Sequence, residues 1–257
     1  MSVLSIKQLS LSINGASLLD DINLEVASGE IVTILGPNGA GKTSLLKVIT
    51  HELPASTGEV LLNGHTSQHW SQIEQAQMMG VLPQHSLLNF PFSAAEVVNL
   101  GRTPHDTGLS RDTEICQAAL QAVDAEHLRD RAYTQLSGGE KQRVQLARVL
   151  AQIWEPSPSG ERILILDEPT SSLDLAHQQQ ILATASDLAQ QGCAVVIVLH
   201  DLNLAARFAD KIFLLSCGHI AAQGTPEQVL QTAVIKKVFD VDVHIIQHPE
   251  TGVPVVI

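Results

Sequence analysis

Lys42 and Thr43 close the run Gly36-Pro37-Asn38-Gly39-Ala40-Gly41-Lys42-Thr43, whose spacing is G-x-x-x-x-G-K-[ST]. Each residue type has a physical task in holding a polyphosphate. Glycines let successive backbone N–H groups curl around a β-phosphate, the Lys42 ammonium neutralises β/γ charge, and the Thr43 hydroxyl is placed to ligate Mg²⁺. A plain glycine-rich turn is the bland alternative. The apolar strand before the loop and the helix after it argue against that reading.

A second group lies in "ILILDEPT", where a buried strand delivers Asp167 and then Glu168 at its carboxyl end. Phosphoryl transfer is mostly positioning and electrostatics, so Asp167 would hold the Mg²⁺ shell and Glu168 would polarise an attacking water. His200 ends the next apolar run, "AVVIVLHD". It is either a satisfied structural histidine or a donor to a γ-phosphate oxygen. Gln84, in "VLPQHS", follows a short apolar strand, and a neutral amide can bridge Mg²⁺ and water without adding charge. In "LSGGE", Ser137 and Glu140 form a capping box for the helix that follows. That role does not require two glycines, and it leaves the helix's positive end and the Ser137 hydroxyl free to meet an anion.

The elements that must position these groups read as an α/β chain. Ile22, Leu24 and Val26 alternate with polar residues, and "LLNG" at Leu61 to Gly64 supplies an Asn-Gly hairpin turn, so antiparallel strands are expected first. The continuous apolar runs "IVTIL", "ILIL" and "AVVIVL" predict buried parallel strands, each ending in polar residues where open α/β sheets place their sites. From about Ser93 to Ala151 the pattern is helical. Ser93 and Glu96 form a capping box, and "EKQRVQLARVLAQ" sets Val144, Leu146, Ala147, Val149 and Leu150 around a largely buried helix. "EPSPSGER" cannot continue a helix and marks the return to the core. Thr225, Pro226 and Gln228 mark a further helix start, and "VDVHIIQHPETGVPVVI" predicts a terminal hairpin through a Pro-Glu-Thr-Gly turn.

The chain has 257 residues and a formal net charge of -12, which argues against a broad basic surface for a nucleic-acid partner, although a local patch is compatible with that average. Charged residues are only 16% of the total, and mean hydropathy is +0.14, so the surface is apolar enough to suit docking to a partner. No apolar run is long enough to span a bilayer, and the first residues lack a signal-peptide core. A cytosolic chain, able to bind a membrane partner, is the expectation. Cys116, Cys193 and Cys217 show no ligand spacing and read as reduced thiols, the last two beside buried strands. Among the 11 histidines, His65 and His69 have i, i+4 spacing but lie in a polar stretch that reads as loop rather than as a ligand site.

Taken in order, "GPNGAGKTS", Gln84, "LSGGE", "ILILDEPT" and His200 resemble the Walker A, Q-loop, signature, Walker B and switch motifs of the ATP-binding cassette family, and Asp174 in "SSLD" matches its D-loop. The resemblance covers nearly the whole chain. It implies a P-loop, RecA-like core with an N-terminal antiparallel β subdomain and an inserted α-helical subdomain. One cassette would span residues 1–257, with the core at 1–92 and 159–257 and the insertion at 93–158. It further implies ATP held by Gly36, Pro37, Asn38, Gly39, Ala40, Gly41, Lys42, Thr43 and Ser44, Mg²⁺ held by Thr43, Gln84 and Asp167, and hydrolysis by Glu168 with Gln84 and His200. One position departs from the family. Where many cassettes stack adenine on an aromatic ring, this sequence has Ile13, which presses on a purine without π stacking and is a weak contact.

Within the family, "VVNLGRTPH" is similar to ATPases of metal-chelate importers, and "LAQIWEPSPSGERILILDEPTSSLD" to the bacterial hemin-importing branch. Ferric siderophore or cobalamin is the alternative cargo. The implied partners are an integral-membrane permease dimer at the cytoplasmic face of the inner membrane and, through it, a periplasmic substrate-binding protein. Gln84, Leu87, Leu88, Phe90 and Phe92 form the apolar candidate for docking the permease, although the phenylalanines could equally be helical-lobe core. In family members the signature lies too far from the chain's own Walker A to share one ATP. The resemblance therefore implies a head-to-tail homodimer in which Ser137, Gly138 and Gly139 of one subunit, with Asp174 nearby, close on the γ-phosphate held by Lys42 of the other. Two other classes compete with this reading. A soluble cassette of DNA repair or translation would show coiled-coil insertions, a second cassette or a basic surface, and a non-hydrolysing binding module would not need Glu168.

Overall fold

The computed structural model describes residues 2–84, 90–171 and 173–257. They form two compact units, Met1–His69 with Ala194–Ile257, and Trp70–Cys193.

In the first unit, β1 (Ser2–Ile13), β2 (Ala16–Ala27), β4 (Thr57–Leu62) and β5 (His65–Thr66) make an antiparallel sheet in the order β2-β1-β4-β5. Its apolar face comes from alternation: Ile22, Leu24 and Val26 are buried while Asp21, Asn23 and Glu25 are exposed. Asn63 and Gly64 have φ of 49° and 80°, the pair of positive values that a two-residue hairpin turn demands. A second group of strands is β3 (Ile31–Leu35), β8 (Ala194–Val198), β9 (Lys211–Ser216) and β10 (His219–Gly224). Here β3 lies between β8 and β9 and parallel to both, with β10 antiparallel on β9. Every residue of β3 and β8 is buried, as continuous apolar runs covered on both faces require. Helix α1 (Lys42–Ile49) follows β3 and α7 (Leu202–Phe208) follows β8. Helix α8 (Pro226–Val229) starts at the Thr225/Gln228 capping box with proline in its first turn, and α9 (Thr232–Phe239) leads to the hairpin of β11 (Ile245–Gln247) and β12 (Pro254–Val256).

The second unit contains α2 (Gln72–Met78), β6 (Met79–Leu82), α3 (Ala94–Asn99), α4 (Leu109–Ala122), α5 (Gly138–Gln152), β7 (Ile163–Asp167) and α6 (Leu175–Gln190). β6 and β7 pair in parallel, Met79 with Ile163 through Leu82 with Leu166. Helix α5 packs against α3, α4 and β6, and it buries Val144, Leu146, Ala147, Val149, Leu150 and Ala151. Its C-terminal carbonyls are met one after another by cationic or polar side chains. Arg102 donates to Ala151 O at 2.7 Å, the His105 Nε2–H to Gln152 O at 2.7 Å, and Arg162 to Ile153 O at 3.0 Å and Trp154 O at 2.8 Å. Positive charge at a helix C-terminus opposes the macrodipole, which explains why two buried arginines are stable here. Arg102 is also paired with Asp112 at 2.8 Å. Burial holds the His105 imidazole below its ordinary pKa.

Cys193 is buried, with its thiol pushed up to about 12, and Cys217 directly follows the buried strand β9, exposed where it turns the chain toward β10 at φ 47°. His65 and His69 do not lie in loop. His65 is in β5 and His69 ends a short 3₁₀ turn, with the two rings stacked at 4.0 Å between centroids.

Candidate functional site

In the first unit the carboxyl ends of β3 and β8 are in register, Ile34 opposite Val198, so Gly36 and His200 each stand two residues beyond a paired position. Gly36 turns the chain at φ 151°, and a Cβ there would overlap the Leu215 carbonyl oxygen on β9. The loop from Pro37 to Ala40 then closes on itself, Ala40 N–H donating to Pro37 O at 3.2 Å, with Asn38 and Gly39 exposed. Lys42 is 6% exposed, and its ammonium donates to Gly36 O at 2.7 Å and Pro37 O at 3.0 Å. The loop's own carbonyls thus fix the cation at the loop's centre. Helix α1 begins at Gly41 with no side-chain cap and no acid in its first turn, so its N–H groups and positive end face the loop. Thr43 is exposed and Ser44 half-buried in that same turn.

His200 is exposed, and the residue after it, Asp201, caps α7 by accepting from the N–H groups of Asn203 at 2.7 Å and Leu204 at 3.0 Å. Asn203 in turn holds both backbone groups of Val256 on β12. Its amide donates to Val256 O at 3.1 Å, and its carbonyl oxygen accepts from Val256 N–H at 2.8 Å. Ile13 ends β1 and is 37% exposed.

The second unit repeats the same register logic. Leu82 pairs with Leu166, and Gln84 and Glu168 stand two residues beyond. The Gln84 amide donates to Glu168 Oε2 at 2.6 Å. Asp167, the last residue of β7, is 7% exposed. Glu168 has φ 51°, a left-handed conformation that costs a non-glycine residue about 1–3 kcal/mol. It also precedes Pro169, whose ring pushes its predecessor toward extended backbone. Backbone carbonyls after Glu168 are held from two helices. Gln142 on α5 donates to Pro169 O at 2.6 Å and lies 3.5 Å from Glu168 O, while Gln178 on α6 donates to Thr170 O and Leu173 O at 3.1 Å each. Asp174 caps α6 by accepting from the His177 N–H at 2.9 Å and from its ring at 2.7 Å. Those hydrogen bonds hold its carboxyl below the usual range, the backbone one foremost.

Ser137 caps α5 in a reciprocal box: Glu140 N–H donates to Ser137 Oγ at 3.3 Å, and Ser137 N–H donates to Glu140 Oε2 at 2.7 Å. The bond from the Ser137 backbone chiefly lowers the Glu140 pKa, with Arg131 adding to it at 2.9 Å. The same box occurs at Ser71/Glu74 and Ser93/Glu96. Only at Ser137 do two glycines follow, and a Cβ at Gly138 would meet nothing within 4 Å. This helix start therefore leaves an open approach to its N–H groups. Phe90 and Phe92 are 63% and 38% exposed, so they are not lobe core; Leu87 and Leu88 lie outside the described residues.

Thr43 belongs to the first unit, and Gln84 and Asp167 to the second. All three offer hard oxygen donors, the chemistry that suits Mg²⁺, and no group of three His, Cys, Asp or Glu gathers for a softer metal among the described residues. Sequence reading passed over Gln142, Gln178 and the arginines behind α5. Their partners are backbone carbonyls, which carry no side-chain signature in the sequence.

The profile of the ABC transporter family matches residues 19–171. The hemin import ATP-binding protein HmuV of Plesiomonas shigelloides is 49% identical over 257 aligned positions, covering 96% of this chain and 98% of its own. The protein of the same name from Pseudomonas entomophila is 49% identical and covers 99% of each chain. Among solved structures, a metal-chelate type ABC transporter in an inward-facing conformation aligns with a TM-score of 0.82 and 27% identity over 100% of this chain and 96% of that one. A dimeric bacterial ABC transporter cassette aligns with a TM-score of 0.76 and 26% identity over 87% and 98%. The shared architecture is a P-loop, RecA-like α/β core with an N-terminal antiparallel sheet and an inserted helical subdomain. A lysine-centred phosphate loop, a glutamate tied at a strand end and this full-length kinship point one way: the chain belongs to the ABC transporter family, as an ATP-binding subunit that hydrolyses ATP with Mg²⁺.

Proposed function

We propose that this subunit powers uptake of hemin across a bacterial inner membrane, working at the cytoplasmic face on a permease dimer that receives cargo from a periplasmic substrate-binding protein. The observation that carries this reading is 49% identity, over nearly the full length of both chains, to hemin import ATP-binding proteins. The metal-chelate transporter among the solved relatives supports the cargo class, and a ferric siderophore or cobalamin is the second reading. No helix among the described residues is long and apolar enough to cross a membrane, which fits a subunit that borrows its membrane path.

In this reading the chain is one cassette, with residues 93–158 as the inserted helical lobe. Gly36 to Ser44 wrap the triphosphate, with Lys42 as the fixed cation. Ile13 presses on the adenine. Glu168, its carboxylate tied by Gln84, takes the proton of the attacking water. Thr43, Gln84 and Asp167 hold Mg²⁺, which when bound offsets charge on the β- and γ-phosphates. His200 donates to a γ-phosphate oxygen. Ser137, Gly138 and Gly139 of a second copy complete each site from the other side, with Asp174 beside them, so the working unit is a head-to-tail homodimer. Exposed Phe90 and Phe92 are the apolar anchors for the permease.

The test is ATPase activity of the subunit reconstituted with its permease and binding protein in vesicles. Haem delivered by the binding protein should stimulate phosphate release several-fold, on the scale of a coupling energy of about 1–3 kcal/mol. Stimulation by a ferric siderophore or cobalamin in place of haem would transfer the assignment to that cargo.

A further inference from the structure

The turn that carries Glu168 is strained twice over, left-handed at φ 51° and placed immediately before Pro169. Something must hold it. Gln84 fixes the carboxylate, but the backbone is fixed by Gln142, whose amide donates to Pro169 O at 2.6 Å and approaches Glu168 O at 3.5 Å. Gln142 stands in the first half of α5, the helix that Ser137 caps and whose glycine-flanked start is open.

We infer that Gln142 is a positioning residue for the general base of its own chain. The inference rests on the head-to-tail dimer proposed above.

Mixed dimers test this, because a Lys42→Ala subunit paired with a wild-type subunit retains one working site, built from the wild-type chain's Lys42 and Glu168 and the variant's Ser137. Gln142→Glu, which sets a carboxylate against the two carbonyls, is then placed on either chain. On the chain with intact Lys42 it should slow turnover by roughly a hundredfold, the usual cost of displacing a reacting group by about 1 Å, with the KM for ATP unchanged. On the chain already carrying Lys42→Ala it should leave the rate of the mixed dimer as it was. Gln142→Lys, which still donates to the carbonyls, should restore most of the rate on the first chain. Equal slowing from both placements would mean that the substitution damages the signature helix, and no slowing from either would mean that Gln142 does not seat Glu168; both results overturn the inference. A separate control guards the underlying reading. Glu168→Gln on the chain with intact Lys42 must stop hydrolysis, and if it does not, the base assignment has failed and not the role of Gln142.

Discussion

At the scale of single residues, the phosphate loop depends on two different properties of its members. Lys42 contributes charge, and its ammonium is already fixed by Gly36 O and Pro37 O. Lys42→Ala should abolish ATP binding measured by calorimetric titration. Gly36 contributes only the absence of a side chain, since a Cβ there would overlap the Leu215 carbonyl. Gly36→Ala should therefore lower folding stability by about 1–3 kcal/mol in denaturant titration, as overpacking does, as well as weakening ATP binding. Both residues were legible in the sequence because the glycine-lysine spacing is itself the mechanism. The fit between Gly36 and β9 was not legible, since it depends on a strand roughly 180 positions later, a separation no local pattern spans.

Elements show how one local device acquires a second use. The boxes at Ser93/Glu96 and Ser137/Glu140 satisfy the same backbone groups with the same geometry. Ser93→Ala and Ser137→Ala should each cost about 1 kcal/mol of stability, read as a shift in the thermal midpoint. Only Ser137→Ala should cut phosphate release beyond that shift, because only its helix start, opened by Gly138 and Gly139, is left for a phosphate to approach. Periodicity revealed the buried face of α5, and the three apolar runs announced β3, β7 and β8. What periodicity could not reveal is how α5 ends. Arg102 and His105 reach its last carbonyls from one segment and Arg162 from another, and a buried arginine looks in sequence like a surface one. The apparent loop at His65 to His69 was misleading for a related reason: Asn63-Gly64 turns tightly enough to start a strand at once, although polar residues follow.

For the whole molecule, the proposed reading gives the open signature helix its use against a second copy. Lys42→Ala and Ser137→Arg subunits should each be inactive as homodimers, one lacking the cation and the other blocking the helix start. Mixed, they should recover hydrolysis. One of the two sites then combines an intact Lys42 from the Ser137→Arg chain with an intact Ser137 from the Lys42→Ala chain. If the signature served its own chain's loop, no mixture would regain activity, and a phosphate-release assay on separately tagged, co-purified pairs separates the outcomes. The grip of Asn203 on Val256 gives a way to watch such a dimer at work. The Val256 amide hydrogen is held by a side chain three positions past His200, so it can exchange with solvent only when that grip lets go. Its deuterium uptake is thus a clock for motion at the start of α7, readable near the chain's far end without altering any residue that meets the nucleotide.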